Sequence, residues 1–264
     1  MTRRTPSSGG SLCHPRADPS IAQIASLPPR WQANFVQSRR VISITAVPFV
    51  IALTTAVIGW LVLGSTLGLF FWGIAASAIL VPVLGSLQES IVDALVRGGA
   101  IVDGIGLIWL LTIFVSPITF GQWLAAYLVL AAFSIAVLSI ARLAARIRIP
   151  PGVTTILAIA WLTWPIWLTN HLNATLVRIL VPAHPLFVLN RVFIDQGIWT
   201  QQRLMYELTT LGQDVPYSLP TSILACLFAH VIIGLALLPL AQGKAASPPS
   251  VTSSAPSTHP SPAA

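Results

Sequence analysis

Charged residues are scarce in this chain: Asp, Glu, Lys and Arg make up 8% of its 264 residues, against about a quarter in ordinary soluble domains. With a mean hydropathy of +0.82, that scarcity excludes a soluble globular fold, whose surface needs the polar groups missing here. Basic charge is almost all arginine, and no basic run exceeds Arg39-Arg40. A nucleic-acid surface needs a denser patch, so the pI near 10.7 does not imply a nucleic-acid partner. Acids are rarer still. All seven, Asp18, Glu89, Asp93, Asp103, Asp195, Glu207 and Asp214, fall outside the cores of the apolar runs. Ion-coupled carriers and intramembrane carboxylate proteases keep such a group at membrane depth, so both classes are disfavoured. Asp103, ahead of Gly104-Ile105-Gly106, reads as a helix-start residue.

Cysteine is nearly absent too. Cys13 lies in a polar segment and Cys226 in an apolar one, so no disulfide framework is possible. No apolar run precedes Cys13, so lipid attachment there is not expected, nor is a secretion signal expected in the first 40 residues. The first apolar run is therefore expected to insert as a permanent anchor. No glycine-rich phosphate loop is present, which excludes nucleotide binding by that device. Histidines 171, 184 and 230 are far apart and lack the short spacing of a metal site, so no metal and no cofactor is expected.

What is present is apolar length. Runs at residues 41–63, 65–87, 104–118, 121–141, 154–172 and 219–240 carry almost no formal charge. About 20 helical residues cross a hydrocarbon layer of about 30 Å. The expectation is an all-α, polytopic integral membrane protein with six transmembrane helices, short interfacial or re-entrant helices and disordered tails. Residues 1–29 and 243–264, rich in Ser, Pro and Ala, are the expected tails, and residues 30–242 form the transmembrane domain. Residues 30–40 place Trp31, Phe35 and Val36 at helical spacing between arginines, as an interfacial helix or a plain basic flank would.

Basic residues set the orientation. With the N-terminus inside, Arg3, Arg4, Arg16, Arg30, Arg39, Arg40, Arg97, Arg142, Arg146, Arg148 and Lys244 stay inside, and only Arg178, Arg191 and Arg203 face out. Eleven against three places both termini in the cytoplasm by the positive-inside rule, in the cell's inner or plasma membrane.

Two segments stand apart. Residues 88–97 put Ile91, Leu95 and Val96 on one helical face and Glu89, Asp93 and Arg97 four apart on another, the pattern of a short amphipathic surface helix. It is either a linker or a docking face for a soluble partner. Residues 173–218 form an outward excursion whose apolar stretches, 176–181 and 186–194, are too short to cross. His184-Pro185 separates them, residues 201–211 suit a further amphipathic helix, and 212–217 a turn. Within the last run, His230 reads as a polar contact between helices, and Cys226 one turn earlier as inert.

This layout resembles the membrane subunits of type-two ATP-binding-cassette exporters. Residues 88–95, Gln-Glu-Ser-Ile-Val-Asp-Ala-Leu, look like the coupling helix that follows the second span in that family, and residues 184–190, led by His184-Pro185 and ending at Asn190, are similar to its Asn-Pro-led segment after the fifth span. His184 stands where Asn is usual, and the Gly-Thr pair of the coupling helix is absent. The resemblance implies a non-enzymatic permease in the lipid bilayer. It would work as a homodimer or with a second permease, and take energy from a separate cassette ATPase docked on Glu89, Asp93 and Arg97. The outer segment would use His184, Pro185, Asn190 and Arg191. The alternative readings are a non-transporting scaffold or anchor subunit and an integral membrane enzyme acting on lipid-linked substrates.

Overall fold

The computed structural model describes residues 29–85, 90–168, 171–194 and 218–241. Among these every regular element is helical: α1 (Pro29–Leu63), α2 (Thr66–Gly85), α3 (Ile91–Leu111), α4 (Phe120–Arg146), α5 (Pro151–Trp167), α6 (Ala174–Ala183), α7 (Pro185–Val192) and α8 (Leu224–Leu240), with a 3-10 turn at Thr112–Phe114 after α3. The chain divides into two compact units, residues 1–43 and 44–264. In the first, residues 30–40 are helical; everything that follows concerns the second.

Local chemistry sets the helix ends. Gly64 adopts φ +59° at the turn between α1 and α2, a conformation that costs glycine nothing, and the Ser65 hydroxyl accepts from the Gly68 amide at 3.1 Å as α2 begins. Thr119 and Gln122 close a reciprocal capping box on α4. The other end of α4 winds into a left-handed residue, Arg148 at φ 62°. There the Ile149 amide reaches back to Ala144 O at 2.8 Å and the Arg148 amide to Ala145 O at 3.0 Å, the paired closure that usually recruits glycine.

α4 is the hub, packing against α2, α3, α5, α7 and α8. Ala126, Val129, Leu130, Phe133, Val137 and Leu138 of α4 are buried, and meet Leu69, Phe70 and Ile74 of α2 and Ile101, Ile105 and Trp109 of α3 in one core. The outward faces are apolar as well, Leu61, Val62, Ile156, Ile232 and Leu235 all being exposed. Helices apolar on every side belong in lipid. This is a multi-pass membrane protein.

Four helical stretches are long and apolar enough to cross: Ile44–Leu63, Gly68–Gly85, Ile91–Phe114 and Phe120–Arg146. α5 and α8 have 17 residues each, so six spans is more than these lengths alone establish. The third span differs from the sequence expectation. Residues 91–97 are not a separate surface helix but the first turns of α3, which runs unbroken through Gly98 and Gly99 to Leu111. A helical glycine costs about 1 kcal/mol; a Cβ at Gly98 would lie 3.3 Å from the Leu138 side chain, so close packing accounts for that glycine, whereas Gly99 faces open space.

Candidate functional site

α6 and α7 form a broken pair that enters the bundle and returns. Asn173 caps α6 by accepting from the Leu176 amide at 2.8 Å, and Pro185 opens α7 at the position where its missing N–H is harmless. His184 is the single residue between them. The chain leaves α5 at Trp167, yet His184 lies beside Trp161, six residues or about 9 Å back along α5. α7 then returns toward the first turn of α4, where the Gln122 amide donates to Val192 O at 3.1 Å. Val177 and Val181 of α6 pack with Trp164 and Phe187 in a second core cluster.

The bend is tied to a proline in the neighbouring helix. A proline has no N–H for the carbonyl four residues earlier, so Pro165 leaves Trp161 O without its helical donor. His184 Nε2 sits 3.1 Å from that oxygen. A carbonyl can only accept, so Nε2 carries the proton and donates. Nδ1 is thereby the bare acceptor, and it is buried without a hydrogen-bond partner among the described residues. His184 is 1% exposed, with Phe187, Trp161 and Trp164 ring centroids 5.0, 5.5 and 5.8 Å away. Such a setting favours the neutral imidazole.

His230 of α8 reaches the same nest from another side. Its ring is edge-on to Trp161 at 6.4 Å and to Phe133 at 5.6 Å, and its Nδ1 donates to Cys226 O at 2.9 Å, with Cys226 Sγ at 3.5 Å. Trp161 thus bridges two histidines that are 46 positions apart in sequence. The indole nitrogens of Trp161 and Trp164 are likewise buried without hydrogen-bond partners among the described residues. Among the described residues no three His, Cys, Asp or Glu side chains gather as a metal site.

Asn190 and Arg191 lie in the last turns of α7 and part company. Asn190 is buried, and its Oδ1 has no hydrogen-bond partner among the described residues. Arg191 is exposed and helps line a cavity of about 320 Å³ with Pro220, Thr221 and Ser222, where the chain enters α8. Of the proposed docking face, Glu89 lies outside the described residues, as do residues 195–217 with their expected helix and turn. Asp93 and Arg97 are half-buried in the first turns of α3. Arg142 of α4 ties that end down by donating to Ser90 O at 3.4 Å.

One polar group lies where the sequence reading placed none. Asp103 is not at a helix start but inside α3, near the midpoint of the candidate span Ile91–Phe114. Gly104 brings α3 so close to α1 that a Cβ there would lie 2.7 Å from Phe49 O. From the other side the Tyr127 hydroxyl of α4 donates to Asp103 Oδ1 at 2.5 Å. Trp123, stacked on Tyr127 at 5.4 Å, donates to Gly106 O at 3.1 Å and fixes the pair. Asp103 is exposed and lines an open groove of about 450 Å³ between α1 and α3, with Thr45, Ala46, Phe49, Val96, Gly99 and Ala100.

A sequence signal for this placement did exist. Ala94, Gly98, Ile101, Ile105 and Ile108 are all buried, and their spacing of three and four traces one helical stripe from before Asp103 to beyond it. No protein-family model, curated protein or solved structure matches this chain.

Proposed function

We propose that this chain is the membrane-spanning permease subunit of an export system energised by a separate cassette ATPase. The observation that carries the reading is the broken pair α6–α7, whose bend at His184 is buried beside Trp161. Non-helical backbone at membrane depth is tolerated where protein encloses it or where it borders a water-filled path. Transporters build their sites from such interrupted helices. In this reading α5 and α8 are the fifth and sixth spans; 17 residues reach about 25 Å, the short end of the spanning range. Both termini are cytoplasmic, α6–α7 lies at the outer side of the inner or plasma membrane, and the permease works as a dimer or beside a second permease.

A scaffold subunit is the second reading, and one observation favours it: α3 absorbs residues 91–97, leaving Asp93 and Arg97 half-buried on a spanning helix instead of on a free docking helix. Purification in mild detergent with identification of co-purifying proteins separates the two. A stoichiometric cassette ATPase, with ATP hydrolysis altered by the permease, is the result expected for export. A different fixed partner without ATPase overturns that assignment in favour of the scaffold.

A further inference from the structure

We propose that the groove between α1 and α3 is a binding site for a lipophilic organic cation, with Asp103 as its counter-charge. The inference stands apart from the exporter reading and needs no ATPase. Its starting point is the position of the carboxylate. Asp103 is twelve residues from Ile91 and eleven from Phe114, so it lies about 17 Å from either end of that candidate span. Burying an acid near the centre of a bilayer costs about 2.5 to 3.5 kcal/mol on insertion scales, and such residues persist where they serve a ligand or a pairing partner.

Tyr127 supplies one hydrogen bond, to Oδ1. That contact orients the carboxylate but brings no positive charge. The groove does not bring one either: Thr45, Ala46, Phe49, Val96, Gly99 and Ala100 are all uncharged. Among the described residues the site is therefore one carboxylate in a wall of small and apolar side chains, with Thr45 the one hydroxyl among them. Its volume of about 450 Å³ lies within the range of small-molecule pockets, about 300 to 1,000 Å³. Phe49 adds an aromatic side chain to the lining, and aromatic faces attract cations within about 6 Å. Small side chains supply the room. At Gly99 a Cβ would meet nothing within 4 Å. A monovalent cation with a bulky apolar body satisfies both halves of this site, whereas a hydrated metal ion would forgo the apolar walls and an anion would meet the carboxylate.

The test uses the full chain in lipid nanodiscs with tetraphenylphosphonium as the probe and tetraphenylborate, of the same shape and opposite charge, as the control. Saturable phosphonium binding is expected, with no saturable borate binding. Asp103→Asn should weaken phosphonium binding at least tenfold. Tyr127→Phe, which keeps the charge and removes only its hydrogen bond, should retain binding within about threefold. Gly99→Leu places a side chain in the groove while improving helix propensity, so it should abolish binding with the thermal midpoint unchanged or raised. That variant keeps the test valid if Asp103→Asn folds poorly. Equal binding of the two ions, no saturable phosphonium binding by the wild type, or wild-type phosphonium binding by folded Gly99→Leu overturns the proposal.

Discussion

The contact between His184 and Trp161 O makes a prediction that single substitutions cannot mimic. Replacing His184 with Ala removes a buried ring that sits among three aromatic side chains and strands the carbonyl that Pro165 already deprives of its helical donor. The stranded acceptor costs about 1 to 3 kcal/mol, and the cavity left by a large-to-small change adds about 2 to 4 kcal/mol. The two parts separate in a double-mutant cycle with Pro165→Ala. Alanine at 165 brings an N–H that can close the ordinary helical bond to Trp161 O, so the carbonyl no longer depends on His184. His184→Ala should then lose only its packing part, and the coupling between the two substitutions should be about 1 to 2 kcal/mol, well above the roughly 0.5 kcal/mol scatter of independent sites. Thermal or denaturant unfolding in detergent, followed by tryptophan emission, reads this directly because Trp161 and Trp164 line the nest. Additive effects of the two substitutions would refute the idea that the imidazole replaces the missing amide donor.

Further expectations concern orientation, docking and the α4 terminus. Single cysteines at Ser20, Ser250 and Gln202, in a background without Cys13 and Cys226, should show only Gln202→Cys labelled by an impermeant reagent in intact cells; labelling at Ser20→Cys would reverse the proposed orientation. Reversing Glu89 and Asp93 to Lys should abolish recovery of a soluble partner with insertion intact, and full recovery would leave that segment as a tether for α3. Arg148→Gly relieves a left-handed backbone conformation at φ 62° and should stabilise the protein by about 1 kcal/mol; a lower unfolding midpoint would show that the Arg148 side chain contributes more than the backbone strain costs.

The apolar lengths were legible in the sequence because hydropathy sums over a window and tolerates small errors of position. α1 and α2 end within two residues of the expected boundaries at 63 and 87, and α8 ends at the expected 240. The two stretches too short to span became α6 and α7, with His184-Pro185 at the break, because proline chemistry is local and acts within one turn. The third span was cut short for the opposite reason. Asp93, Arg97 and Asp103 lower a hydropathy sum wherever they stand, and the sum does not record which way they face. The helix is set by the buried stripe on its other side, Ala94 to Ile108, so three charged residues could share it.

Contacts between distant segments explain what stayed hidden. Nothing near Pro165 indicates how its orphaned carbonyl is satisfied; the donor is 23 residues beyond Trp161, across a chain reversal. Nothing near Asp103 shows that Tyr127, on the next helix, binds it. In both places a backbone or side-chain group that lipid cannot solvate finds its partner on a distant segment, and in both part of the demand stays unmet: His184 Nδ1 has no hydrogen bond among the described residues, and Asp103 has a hydroxyl but no basic side chain among the described residues of its groove. At Asp103 stability alone would favour an apolar pair, since replacing both hydrogen-bonded partners by apolar groups can be neutral or stabilising; at His184 an apolar residue would strand Trp161 O. The two groups therefore do different work: His184 supplies the donor that holds the bend between α6 and α7 against α5, whereas Asp103 is a carboxylate to which no described residue lining its groove brings a positive charge, the feature on which the proposed cation site rests.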